Sequence, residues 1–267
     1  MKTSNPSKEQ LAYVASIKRR KRFIRICQII ILITFIITWE VTARYHIIND
    51  FIFCSPSKIC KTFFFMMKDG SLLHHIGISL FETLLGFFIV IIGSLGIATL
   101  FWWNETISKI LEPYLVVLNA LPKSALAPVL IVWLGANKLT IIVCACSVAI
   151  FGSILNIYTG FVNVDSDKIK LIETLKGTRL QCLRLVVLPS NVPNIISIMK
   201  VNIGLCLVGV IIGEFLAARE GLGYLIIYGS QVFKMSNVLL SIMILCVIAM
   251  VLYVILQSFE KKLNEYF

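Results

Sequence analysis

Charge is what this sequence has least of. Only 15% of its 267 residues are Asp, Glu, Lys or Arg, where a soluble domain normally carries about 25%. That excludes an ordinary soluble fold. Signatures of catalysis are missing too. No G-x-x-x-x-G-K-[ST] phosphate loop occurs, so the chain does not hydrolyse ATP by itself. Neither H-E-x-x-H nor G-x-S-x-G is present. The three histidines, His46, His74 and His75, are too few and too far from other ligands for a catalytic metal, and the Cys144–Cys146 pair has no His or acid near it in sequence. The chain is therefore not read as an enzyme.

What is abundant is hydrocarbon. Apolar residues make up 58% of the chain and the mean hydropathy is +0.90. Several apolar runs exceed the roughly 20 residues that cross a bilayer. They are continuous rather than alternating, which excludes a barrel. The fold class is an all-α polytopic membrane protein with six transmembrane helices. The spans are placed at 23–43, 76–101, 113–134, 139–162, 189–217 and 237–259. A basic segment over 1–22 precedes them and a short tail over 260–267 follows. The first apolar run is too long, and lacks the small-residue site, for a cleavable signal. Gly77, Gly86, Gly93 and Gly96 along span two predict close helix packing. Pro122 and Pro128 are expected to break span three. A Gly-rich stretch after span five, REGLGYLIIYGSQVF, is too short to cross and is read as a re-entrant or surface helix.

Charge orients the chain. About 16 Lys/Arg fall on the side of the termini and about seven on the other. Both termini are therefore expected in the cytoplasm, along with the loop over 163–188. The cluster from Lys18 to Arg25 marks a flank facing anionic lipid rather than a nucleic-acid site. Cys54 and Cys60 fall in an outside loop, where they could pair if that compartment is oxidising.

The 163–188 loop has helical spacing. Ile169, Ile172, Leu175 and Leu183 form an intermittent apolar face among Lys168, Lys170, Lys176, Arg179 and Arg184. Asp165, Ser166 and Asp167 suit a helix start, and Gly177 suits a break between helices. Two readings stay open: a cationic loop on lipid headgroups, or a docking helix for a soluble partner. Ionisable residues inside spans are functional candidates by default. Glu214 either caps the re-entrant segment or pairs with Arg219, or it gates a pathway. Lys123 and Lys200 either snorkel inward or line the pathway, where Asn202 would join them. Glu82 is read as a packing or water-facing acid.

The order of motifs resembles the inner-membrane permease subunits of ATP-binding cassette importers, in the nitrate/sulfonate/taurine branch. The resemblance covers roughly 55–259. It rests on Ser55-Pro56, on GSLLHHIGISLFETLLGF with His75 and Ser79-Leu80, on ALPKSALAPVLIVWLG, and on GEFLAAREGLGYLI with Glu214. It implies the MetI-like architecture of type I importers. It also implies two ATPase subunits, a second permease copy or paralogue, an extracytoplasmic binding protein and the lipid bilayer as partners. No nucleic acid is expected. No cofactor is expected on this chain, ATP and Mg2+ belonging to the ATPase subunit. The ATPase contact would be Ile169, Ile172, Glu173, Leu175, Lys176, Gly177 and Arg179. The pathway or gate would be Lys123, Lys200, Asn202 and Glu214. The loop departs from the family's pattern, in which Glu-x-Ala precedes a Gly thirteen residues before Leu-Pro. Counted back from Pro189, those positions hold Lys170, Ile172 and Lys176, with Gly177 one residue late. The implied cargo is a small anion such as a sulfonate, with a thiamine precursor as the alternative. A membrane enzyme or anchor would need polar clusters on two or more spans, and a secondary carrier matched broken repeats. The sequence offers neither.

Overall fold

The computed structural model describes residues 8–45 and 54–264. It forms two compact units, divided between Thr62 and Phe63. In the first, α1 (Lys8–Arg44) contains the apolar stretch Arg22–Arg44. Within the same unit begins α2 (Pro56–Lys68), with a proline at its first position, where no N–H is needed. Glu40 of α1 caps it: Ser57 donates from its backbone N–H (3.0 Å) and its hydroxyl (2.9 Å) to the Glu40 carboxylate. Cys54 is buried ahead of α2 and Cys60 lies exposed on it, with no disulfide between them.

The second unit holds the remaining helices: α3 (Ser71–Trp103), α4 (Glu105–Ala120), α5 (Lys123–Leu134), α6 (Lys138–Val162), α7 (Ser166–Thr174), α8 (Arg179–Cys182), α9 (Leu188–Ala217), α10 (Leu222–Gln231) and α11 (Met235–Asn264). Four stretches here are long and apolar enough to span a bilayer: Ser71–Trp103, Lys138–Val162, Arg179–Ala217 and Met235–Lys262. The pair α4 and α5 becomes a sixth span of the chain only if counted together, because it bends by 98°. The bend falls at Leu121-Pro122, where the proline has no N–H to continue the ladder. Pro128, expected to break the span as well, sits inside α5. The stretch 102–112, expected as a link, is helical from Glu105, started by Asn104, whose side chain accepts from the N–H groups of Thr106 and Ile107.

Helix α6 is the centre of this unit, packed along both α3 and α9. Side-chain size decides how closely. A Cβ on Gly209 would lie 2.6 Å from the Ala145 Cα, and one on Gly213 would lie 2.9 Å from the Ile141 Cα. The two glycines are four residues apart on α9, so its backbone meets α6 over a whole turn. On the other side, a Cβ on Gly86 of α3 would meet the Ala145 Cβ at 3.0 Å. Ala145 is thus where three helices cross. Of the span-two glycines, Gly86 serves this contact, while Gly77 and Gly96 have open space around them. The glycines that set the spacing lie mainly on α9.

Candidate functional site

The segment between α6 and α9 is built as a folded junction. Asp165 starts α7, its carboxylate accepting from the Asp167 N–H at 2.9 Å. α7 ends on paired bonds: the Lys176 N–H donates to Glu173 O (2.9 Å) and the Gly177 N–H to Ile172 O (2.8 Å). This is a Schellman turn, which places one residue in the left-handed region. That residue is Lys176, at φ 58. It occupies the position that the family register assigns to glycine. Gly177 serves a different need, since a Cβ there would run into the Ile172 side chain and its carbonyl. The position that the resemblance gives to glycine thus has a left-handed backbone here, occupied by a lysine.

Thr178 opens α8 with a capping box, exchanging bonds with Gln181. Five residues, Leu183–Val187, then wind as a π-helix before α9 begins. Helix is thus continuous from Arg179 to Ala217, ten residues ahead of the expected start of span five. Leu183 and Val187 point into an apolar cluster with Ala98 of α3, Ile157 and Phe161 of α6, and Ile198 of α9. Arg179 adds a polar tie. It donates to the Trp102 carbonyl at 3.0 Å, and its guanidinium lies 5.3 Å from the Trp102 ring and 5.9 Å from the Trp103 ring. The junction therefore grips the ends of three spanning helices.

Its outer surface differs from the sequence reading in one respect. Ile169 and Ile172 are half-buried, with Ile172 under the turn, and Glu173 and Leu175 are exposed. Leu171, absent from the expected contact, is 61% exposed, and Leu175 is 72% exposed. The two are four residues apart, so they stand on one face. That spacing was visible in the sequence.

The pathway candidates lie in separate environments, with Glu214 at the end of the bundle opposite the junction. Glu214 caps α10. Its Oε2 accepts from the Gly223 N–H (2.5 Å), and its Oε1 accepts from the Ser79 hydroxyl (2.5 Å), which in turn accepts from the Leu222 N–H (2.8 Å). The Gly221 N–H donates to His75 Nδ1 at 3.0 Å. Three otherwise orphaned N–H groups at a helix start are thus satisfied. Glu214 is 1% exposed. Of the two structural roles read from the sequence, capping is the one observed. The glycines are required by this contact: Gly221 sits at φ 107, and a Cβ on Gly221 or Gly223 would collide with the Glu214 side chain. The stretch called re-entrant or surface is this ten-residue helix. Glu82, one helix turn beyond Ser79, is equally buried and neither of its oxygens has a hydrogen-bond partner among the described residues.

Lys123 donates to the Leu118 carbonyl across the break and lies 5.1 Å over the Phe151 ring. Lys200 forms an ion pair with Glu260 of α11 at 2.7 Å. Asn202 is buried between α6 and α9. The four are not brought together into one site.

A family model described as "Binding-protein-dependent transport system inner membrane component" matches residues 89–265, well over half of the chain. The putative aliphatic sulfonates transport permease protein SsuC of Bacillus subtilis is 25% identical over 92% of this chain and 90% of its own length. The formylaminopyrimidine transport permease protein ThiX of Halalkalibacterium halodurans is 26% identical over 70% of this chain and 74% of its own. Among solved structures, the inward-facing MetNI methionine ABC transporter superposes with a TM-score of 0.59 at 14% identity, covering 74% of this chain and 97% of that one. The chain belongs to the binding-protein-dependent transport system inner membrane components, the multi-pass membrane permeases of ABC importers.

Proposed function

We propose that this permease carries a small polar solute of the sulfonate or taurine kind, drawing its energy from a separate ATPase subunit that docks on residues 165–184. The observation that carries this reading is the junction: Leu171 and Leu175 project from a segment wedged against α3, α6 and α9. A partner holding the exposed leucines moves three spans at once. The loop and both termini face the cytoplasm, in keeping with the Lys/Arg bias. Two ATPase subunits act on two permease chains, either copies of this one or a paralogue. ATP closing the ATPase pair draws the junctions together and rocks the bundles toward the outside, and hydrolysis releases them. An extracytoplasmic binding protein loaded with solute biases the same equilibrium from the far face. The chain itself binds no cofactor, ATP and Mg2+ being held by the ATPase subunit.

The similarity to SsuC supports a sulfonate cargo. The comparable similarity to ThiX favours a second reading, a nitrogen heterocycle related to thiamine. Calorimetric titration of the partner binding protein with ethanesulfonate and with formylaminopyrimidine separates the two. The docking role is tested by Leu171→Asp combined with Leu175→Asp. Losing two central apolar contacts is expected to weaken ATPase co-purification from mild detergent by about a hundredfold, at about 1.5 kcal/mol or more per buried leucine. A double variant that elutes as folded protein and still retains the ATPase fully would overturn the docking assignment.

A further inference from the structure

Two cavities open along the groove between α6 and α9. One, of about 540 Å3, is lined by Asn156, Thr159, Asn163, Asn191 and Asn194 among others. The second, of about 230 Å3, is lined by Asn119, Ser153, Asn156, Ser197 and Asn202 among others. They share Asn156 and Ile198 and so belong to one track. The sequence builds it deliberately. On α6, Ser153, Asn156 and Thr159 recur at three-residue intervals with Asn163 just past its end, and on α9 Ser190, Asn194 and Ser197 follow at intervals of four and three, with Asn202 five residues on. Each series is a polar stripe on a mainly apolar helix.

Burial excludes lipid as what covers these stripes. Asn156, Asn194 and Ser197 are exposed in the single chain, whereas the exposed Thr159 hydroxyl is bonded to the Leu155 carbonyl. Inside a span, an exposed amide or hydroxyl has no hydrogen-bond partner in hydrocarbon and must face water or protein. Deeper in the groove, Asn202 is 2% exposed, and its Nδ2 lacks a hydrogen-bond partner among the described residues. A free donor at that depth fits an acceptor brought by a visitor.

The lining also has a sign, which is none. Among the described residues, no charged side chain lines the smaller cavity, and the larger has Asp165 and Lys168 together. Neither span lysine is among the lining residues: Lys200 is paired with Glu260, and Lys123 bonds the Leu118 carbonyl and lies over Phe151 beside the smaller cavity.

We propose that the α6–α9 groove is one wall of a water-filled solute passage that holds its cargo through neutral amides and hydroxyls, with no fixed counter-charge. This rests on the permease reading above and narrows it. The passage takes compact solutes rich in hydrogen-bond acceptors, such as sulfonate oxygens or pyrimidine nitrogens, and does not sort them by charge. Selection by sign belongs to the binding protein that delivers them.

The test uses the chain in complex with its ATPase subunit, with the native cysteines replaced and single cysteines placed by Asn156→Cys, Ser197→Cys, and, as lipid-facing controls, Ile92→Cys and Met250→Cys. Two membrane-impermeant thiol reagents are compared, anionic methanethiosulfonate ethylsulfonate and cationic methanethiosulfonate ethyltrimethylammonium. Without a net charge to focus counter-ions, both should label the groove positions at rates within about threefold of each other, with the controls unlabelled. Silence at both groove positions overturns the passage. A preference of about tenfold or more for one reagent overturns its neutrality, since a fixed charge focuses the opposite ion by that much. If the cysteine-free chain fails to fold, the same substitutions in the native background are read as mass increments above wild-type labelling. ATPase co-purification is measured in parallel. A complex that holds together with silent cysteines sinks the passage alone, whereas labelling without any bound ATPase sinks the permease reading and leaves only an aqueous cleft.

Discussion

The two ends of α9 are both fastened to α3, by opposite kinds of force. At its beginning, Leu183 and Val187 join Ala98, Ile157 and Phe161 in an apolar cluster, and Arg179 lies over Trp102 and Trp103. At its far end, Ser79 and His75 of α3 reach Glu214 and the start of α10 through a closed set of hydrogen bonds. Apolar contact has no preferred direction and tolerates sliding. Buried hydrogen bonds are directional, and leaving one unmade is expensive. The junction end is thus the more yielding seat, able to shift a little while it carries α3, α6 and α9 with it, and the Glu214 end is suited to staying in place. A bundle that pivots needs both.

The contrast can be broken most severely at the fixed end. Glu214→Ala strands the Gly223 N–H and the Ser79 hydroxyl and opens a cavity in a buried network. We expect a loss of about 3 kcal/mol or more, read as a collapse of the monodisperse fraction in detergent on mild heating. Ser79→Ala removes one link and orphans the Leu222 N–H, at a cost of about 1–3 kcal/mol by the same measurement. An unchanged melting profile in either variant would show that this end is not the rigid one. At the moving end, Arg179→Ala deletes an exposed tie worth about 1 kcal/mol. Its signature should be kinetic: stability nearly unchanged, but ATP turnover no longer stimulated by loaded binding protein. Lys176→Gly has an effect confined to α7 and of the opposite sign. Glycine adopts φ 58 without strain, so α7 should gain about 1 kcal/mol, read as slower hydrogen exchange from Asp165 to Thr178.

Much of the architecture was written in the hydropathy. The apolar runs located the spanning helices because a bilayer demands length and continuity. The break at Pro122 was legible because proline lacks a donor, whereas Pro128 misled, since α5 accommodates it within its helix. Glu214 was visible as an anomaly, but its partners were not. Ser79 and Leu222 are 143 residues apart and meet only through the packing of α3 on α10. Lys123 and Lys200 illustrate the converse. As charges in spanning segments they suited either snorkelling or a pathway lining, and their partners, a carbonyl across a helix break and an acid on α11, come only from the packing. The position of Lys176 thirteen residues before Pro189 is legible by counting, but what it does there is known only from its backbone angle.

The π-helical segment Leu183–Val187 has a consequence for construction. A π-turn arises when a helix carries one residue more than its regular winding would hold. Each residue of an α-helix advances the chain by about 100° around the axis. The surplus residue is absorbed within this one turn, so the flanking helices keep the bearing that regular winding would give them. Deleting one position within 183–187 should let the segment rewind as α-helix with Leu171 and Leu175 aimed nearly as before, whereas deleting one from the regular first turns of α9 would swing them by about 100° with every contact residue still present.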